Sequence, residues 1–413
     1  MVGDFLKISA IIAEYNPMHK GHILHINKTR ELTNCDGIIG VISGNFVQRG
    51  QPSIIDKWTR AELAVLNGID LVIELPSVYS ISSAEFFSYG AISLLNNINV
   101  VDSLCFGSEC GNLEPIYYIA NTLQNPSYEY LDLLRKYIAS GLPYFTARSK
   151  ALFEISQNNI DINLTNSLES ILSSSNNILG IEYCKSLIKL NSSIKAFTIK
   201  RQGDDYNCQY INSEFPSATA IRKLIENDYD LNSIKNLLPD SVYEKIISLY
   251  KNNYDFAFSK DMFKFLRYKC LTNNNNIDKI PDANEGLHNK IYKSIINSTD
   301  FEDLMSNIKS KRYSYTRLSR ILCQYFIGFD NYDTEILRKA SCPYARILAF
   351  NKKGLEILKL IKKNSYIPLY SKLPKSKDMN SCLELDILST KAYSILNKSI
   401  NPLADYLNSP VIL

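Results

Sequence analysis

His19, His22 and His25 are three of the four histidines in a chain of 413 residues, and they fall within seven positions. They follow a short apolar run, Ile8 to Ala13, and a turn-like segment, Glu14-Tyr15-Asn16-Pro17. A helix-like stretch from about Gly21 to Leu32 comes next. A strand that turns into a helix leaves free backbone N–H groups and the positive end of the helix dipole at the turn, which suits a phosphate. Gly21 has no side chain, so a phosphate or ribose could approach the backbone closely. The two imidazoles of His19-Lys20-Gly21-His22 could then donate to phosphate oxygens as charge develops in an in-line displacement. Lys20 either adds charge or points to solvent, and His25 reads as a lining or packing residue. A His pair can also bind zinc. A helical zinc pair would stand at i, i+4 with a carboxylate, and no third ligand is close in sequence, so no dedicated metal is expected.

The surrounding pattern is that of a parallel α/β sheet. Continuous apolar runs at Ile8–Ala13, Gly37–Ile42, Asp70–Leu75, Val100–Phe106 and Ile194–Ile199 alternate with helical spacing at Lys57–Leu66, Asn177–Leu190 and Ser217–Glu226. Strands of this kind are buried on both faces by helices. A weaker helical stretch, about 113–175, reads as an insertion. Beyond about residue 230 strand signals fade, and helical spacing dominates to the end. The expected architecture is a Rossmann-like domain over 1–230 and a mainly helical region over 231–413.

Composition is that of a globular chain, 45% hydrophobic and 21% charged, which excludes wholesale disorder or a plain coiled coil. No apolar run is long enough to span a membrane, and the N-terminal segment lacks a cleavable-looking leader. The nine cysteines include no CxxC pair, which predicts reduced thiols and a cytoplasmic protein. The net charge of +4 is unevenly spread: residues 231–413 hold 28 Lys and Arg against 18 Asp and Glu, and residues 1–230 hold 18 against 24. A basic back half could face a polyanion, or could simply be a solvated surface.

A second motif, Pro216-Ser217-Ala218-Thr219-Ala220-Ile221-Arg222, opens a helix after the fifth apolar run. Its hydroxyls could meet phosphates or merely cap the helix. With the strand, Asn-Pro-x-His-x-Gly-His and helix, it resembles the nucleotidyltransferase superfamily, whose nucleotide-binding fold is shared with class I aminoacyl-tRNA synthetases. IIAEYNPMHKGH, SGNFVQRGQPSIIDKWTRAELAVLNGIDLVIELP, FGSE, NNILGIEY, TIKR, EGL and KSKRYSYTR extend the likeness over nearly the whole chain. Together they resemble the bacterial tRNA(Met) cytidine acetate ligases. Met18 and Lys20 occupy variable slots, and His288 stands after EGL where a carboxylate would be expected.

The resemblance implies activation of acetate by ATP to acetyl-adenylate, with Mg²⁺ accompanying the nucleotide. The acetyl group would then pass to N4 of the wobble cytidine of elongator tRNA(Met). No protein partner is expected. It makes His19 and His22 catalytic. It assigns ATP binding to Ile12, Ala13, Glu14, Tyr15, Asn16, Pro17, Met18, His19, Lys20, Gly21, His22, Ile23, Leu24 and His25, and to Gly107, Asn176, Asn177, Arg201, Ser217, Thr219 and Arg222. Gln48-Arg49-Gly50, with Lys57 and Arg60, would shape the acetate or tRNA side. Lys309, Arg312, Thr316 and Arg320 are expected on one helical face, with Lys311, Tyr313, Tyr315 and Arg317 around it. That face would contact tRNA through Lys309, Lys311, Arg312, Arg317 and Arg320. Two other readings remain open: an adenylyltransferase acting on a small phosphorylated substrate, and an inactive nucleotide- or RNA-binding protein.

Overall fold

Side chains along the central strands enter opposite apolar layers in turn. In β1 (Ile8–Ala13), Ile8 and Ala10 join one core and Ile11 the other. In β2 (Gly37–Ser43), Ile39 and Val41 oppose Ile38 and Ile42. This is the period-2 geometry of a strand covered on both faces. The computed structural model describes residues 6–157, 168–201, 217–227, 231–273, 276–310, 312–375 and 379–413.

β3 (Phe46–Val47) and β4 (Gln51–Pro52) form a small antiparallel hairpin beside the main sheet. β5 (Leu71–Leu75), β6 (Ser103–Ser108) and β7 (Lys195–Lys200) complete the parallel part, in the order β5-β2-β1-β6-β7. The chain builds outward from β1 first through β2 and β5, then through β6 and β7 on the other side. The strand order therefore reverses at β1, and a crevice opens where the carboxyl ends of β1 and β6 diverge. The helix Lys20–Thr33 leaves β1 at this crevice.

The fading of strand signals beyond residue 230 is corrected by β8 (Ala345–Phe350), which is buried and pairs antiparallel with β5. β9 (Leu369–Tyr370) and β10 (Val411–Ile412) pair with β8, so the back half extends the same sheet. β8 eluded the sequence reading because its charged residue is also buried. Arg346 stands 2.8 Å from Asp405 and 3.6 Å from Glu74 inside the protein, which breaks the apolar alternation. The rest of the back half is mainly helical. No described helix is long and apolar enough to cross a membrane.

Candidate active site

The crevice at the end of β1 holds a cavity of about 360 Å³. His19 is the N-cap of the helix Lys20–Thr33, and its extended backbone sets the side chain over the helix start. Its Nδ1 accepts from the Gly21 N–H at 3.1 Å, and the Nδ1 of His22 accepts from the His19 N–H at 3.1 Å. This is a capping box built from two histidines instead of Ser and Glu. Gly21 is required by it, because a Cβ there would lie 2.9 Å from Cε1 of His19. The two rings face each other with centroids 3.9 Å apart, and Tyr15 meets His22 edge-on at 4.9 Å.

Both Nδ1 atoms accept, so each neutral ring carries its proton on Nε2 and offers it as a donor. Burial drives His19 down to about 3, and the positive charges of Arg201 and Arg222 add to the shift. Burial also holds His22 well below the ordinary imidazole value, aided by His19 and Arg201. His25 is held near 4, chiefly by burial, and its Nε2 bonds the Cys105 carbonyl at 3.2 Å. Its proton is thereby committed to the scaffold. The pair His19 and His22 is thus a fixed array of neutral donors at a helix N-terminus, suited to phosphate oxygens.

Of the residues expected to bind ATP, Ile12, Ala13, Glu14, Tyr15, Asn16, His19, Gly21, His22, Leu24, His25, Gly107, Asn176 and Arg201 line the cavity. Pro17, Met18, Lys20, Ile23, Asn177, Ser217, Thr219 and Arg222 are not on its wall. Met18 is buried in an apolar core. The Asn177 side-chain oxygen accepts from the Glu109 and Cys110 N–H groups, so it holds the turn after β6. Glu109 in turn accepts from the Asn176 and Asn177 N–H groups and occupies the start of the helix Ser175–Lys189. Ser217 accepts from the Ala220 N–H at 3.1 Å, the capping alternative for the second motif. Arg222 donates to the Asn16 carbonyl at 2.7 Å and to Thr219 at 3.0 Å, tying that motif to the β1 turn. Arg201 crosses above Gly107 and donates to Asn176 at 3.2 Å.

Lys57 and Arg60, expected near the acetate or tRNA side, are interior structural cations. Lys57 pairs with Glu74 at 2.7 Å and Asp405 at 2.8 Å, and Arg60 donates to the carbonyls of Glu14, Ser43 and Ile55. Gln48 and Arg49 do reach the cavity. The single basic helical face is also corrected. Lys309 ends one helix, Phe301–Ile308, and the next helix starts only at Tyr315, so Lys309 and Arg312 sit in the connection. Arg312 pairs with Glu285, and Arg317 donates to the Asp282 carbonyl and to Asn284. Lys311 lies outside the described residues. Thr316 and Arg320 turn inward and line the cavity with the histidines.

Sequence reasoning did not single out Ala84, Phe87, Tyr183 or Lys200, which also line it. Ala84 and Phe87 share the helix Ala84–Ile98, Tyr183 lies on the helix Ser175–Lys189 and Lys200 ends β7, so three separate elements bring them together and no single local spacing marks them. Among the described residues no group of three or more His, Cys, Asp or Glu is placed to hold a metal ion. Glu14 is half-buried on the cavity wall, and burial raises its carboxyl against the pull of Arg49 and Arg222.

The family model of the HIGH nucleotidyl transferases matches residues 6–405. The chain is 54% identical over 408 residues to a tRNA(Met) cytidine acetate ligase of Clostridium novyi, covering 99% of this chain and 100% of the relative. It is 49% identical to the protein of the same name in Clostridium tetani, over 98% and 100% of the two chains. Two crystal structures of Thermotoga maritima TmcAL, apo and bound with alpha-thio ATP, superpose with TM-scores of 0.88 and 0.87. Each is 30% identical and covers 99% of this chain and 100% of the other.

Proposed function

Because the chain belongs to the HIGH nucleotidyl transferases, and among them to the tRNA(Met) cytidine acetate ligases, it is an ATP-dependent ligase, and we propose that the histidine-lined cavity is where it activates acetate. An acetate oxygen attacks the α-phosphorus of ATP, the Pα–O–Pβ bond breaks, and pyrophosphate leaves. N4 of the wobble cytidine of elongator tRNA(Met) then attacks the acetyl carbon. AMP leaves, the amine loses a proton, and N4-acetylcytidine remains. An exocyclic amine is a weak nucleophile and acetate a poor acyl donor, which is why adenylation must come first.

The observation that carries the reading is the pair of Nδ1 acceptor contacts, 3.1 Å each, that leaves two neutral Nε2–H donors at a helix start. Such donors stabilise charge on the phosphate oxygens without taking up a proton themselves. Arg201 supplies positive charge on the same wall, and Arg222 supports the turn beneath it. Mg²⁺ would enter on the ATP phosphates, whose oxygens are its customary ligands in nucleotide sites. We place the reaction in the cytoplasm, where tRNA and ATP meet.

The test is ATP–pyrophosphate exchange by the full chain with acetate, propionate or no carboxylate, followed by mass spectrometry of nucleosides from tRNA. Acetate-dependent exchange and N4-acetylcytidine are expected. Exchange that ignores acetate but follows a phosphorylated small molecule would replace this reading with an adenylyltransferase.

A further inference from the structure

Arg320 sits in the cavity wall on the helix Tyr315–Ile327, brought there by the back half of the chain. Burial pulls its guanidinium down to about 10 against the opposing pull of Asp282, and Arg317 and Arg338 add to the fall. Its Nε is buried without a hydrogen-bond partner among the described residues. A buried guanidinium N–H left without a partner is costly unless an acceptor meets it. Three other arginines near the cavity are placed differently. Arg201 and Arg222 gather around the β1 turn and the histidines, and Arg49 acts on Glu14.

Three contacts fix the corner that Arg320 enters. Ser319 Oγ donates to the Gly50 carbonyl at 2.8 Å, Gln324 Nε2 to the Ile81 carbonyl at 2.7 Å, and Gln48 Nε2 to the Ser82 carbonyl at 3.3 Å. The helix, the loop at Gln48–Gly50 and the segment before Ala84 are thereby locked together. Ala84, two residues after Ser82, and Phe87 one helical turn on supply apolar wall to the cavity, while Arg320 and the amide of Gln48 supply polar groups. A planar guanidinium beside a small apolar surface matches a carboxylate bearing a methyl group.

We propose that Arg320, with Gln48 beside it and Ala84 and Phe87 behind, holds the acetate carboxylate for attack on ATP. This rests on the acetate-activating reading above. The site gives Arg320 the anion it lacks, and it sets the second anionic reactant apart from the donors that hold the phosphates. It also makes the back half a contributor to adenylation.

The experiment is acetate-dependent ATP–pyrophosphate exchange without tRNA, using the full chain and the R320Q and R320K variants. Acetate is varied at saturating ATP, and ATP at saturating acetate. R320Q should raise the KM for acetate ~10-fold or more, the effect of losing one charge-assisted hydrogen bond. The KM for ATP should stay near the wild-type value. R320K keeps the charge but not the fork, so it should fall between wild type and R320Q. It also answers the question if R320Q fails to fold, which circular dichroism reports. An acetate KM unchanged in either folded variant would overturn the assignment, and an equal rise in both KM values would overturn it in favour of the nucleotide. A rise confined to the KM for tRNA in the full reaction would overturn it in favour of a tRNA phosphate. Wild-type protein without acetate-dependent exchange would instead sink the proposed function itself.

Discussion

Replacing His19 by Ser and His22 by Gln in one variant separates the two tasks of these residues. Ser at an N-cap and Gln at the third helical position are the ordinary partners of a capping box. They can accept from the N–H groups now held by the two Nδ1 atoms at 3.1 Å. The helix start should therefore survive, with a change in unfolding free energy below ~1 kcal/mol. Both Nε2–H donors disappear. One such donor is worth roughly 100-fold in rate, and two acting on one transition state together about 1,000-fold or more. His19→Ala is the control, because it removes donor and cap at once and should cost about 1 kcal/mol of stability as well. Rapid-quench measurement of acetyl-adenylate gives the rate, and urea melts give the stability. The rate of the wild type should also show no inflection near the ordinary imidazole value, since burial keeps His19 near 3 and His22 well below 6.5. A folded double variant that forms adenylate within ten-fold of wild type would refute the reasoning, as would a wild-type rate that titrates near pH 6.5.

Acid should unfold the protein early. The folded values of His19 and His25 lie near 3 and 4, below the unfolded value, so stability is fully present above about pH 6.5 and falls as pH drops toward those values. Each imidazole removes about 1.4 kcal/mol per pH unit in that window. Urea midpoints at pH 7.5 and 5.0 measure it, and equal midpoints would contradict the burial of these rings. Gly50→Ala should destabilise by about 2–5 kcal/mol, combining a left-handed backbone with overpacking. The φ there is +75°, and a Cβ would lie 2.3 Å from the Arg320 backbone nitrogen. A melting temperature equal to wild type would show that this loop yields. Reversing the charges of Lys309 and Arg312 should raise the KM for tRNA and lower its salt dependence by about 0.7–0.9 in log–log slope per lost contact. Acetyl-adenylate formation without tRNA should persist, and unchanged tRNA affinity would leave this connection a solvated surface.

The strands and the histidine turn were legible because each is specified locally. Ile8–Ala13 is an apolar run broken only by the small Ser9, and its observed limits are those of the sequence reading. His19, Gly21 and His22 lie within one turn of helix, so their spacing alone places them together. Arg320 was misjudged for the opposite reason. Helical spacing groups it with Arg312, but the helix begins at Tyr315, three residues after Arg312. Which way Arg320 faces is decided by Gly50, a residue 270 positions earlier whose missing side chain lets the helix backbone come close. No period of the sequence carries that information. Lys57 and Arg60 misled for a related reason. Charged residues after a strand suggest a site, yet their partners Glu74, Asp405 and the carbonyls of the β1 turn bury them.

The same buried charges tie the two halves of the chain to one sheet. Lys57 from the front and Arg346 from the back both contact Glu74 and Asp405, one carboxylate from each half. Each of the four faces two opposite charges, and removing any one would leave a buried partner uncompensated. That loss is typically about 3–5 kcal/mol, comparable to a large part of a domain's stability. The cluster sits where β8 meets β5, so it seats the back half on the sheet edge in one position. The helix Tyr315–Ile327 is then held against the Gln48–Gly50 loop, and Thr316 and Arg320 reach the cavity at the end of β1. Charge complementarity deep in the sheet thus positions a side chain at its rim. The cavity cannot be assembled from residues 1–230 alone, because part of its wall is built by the other half.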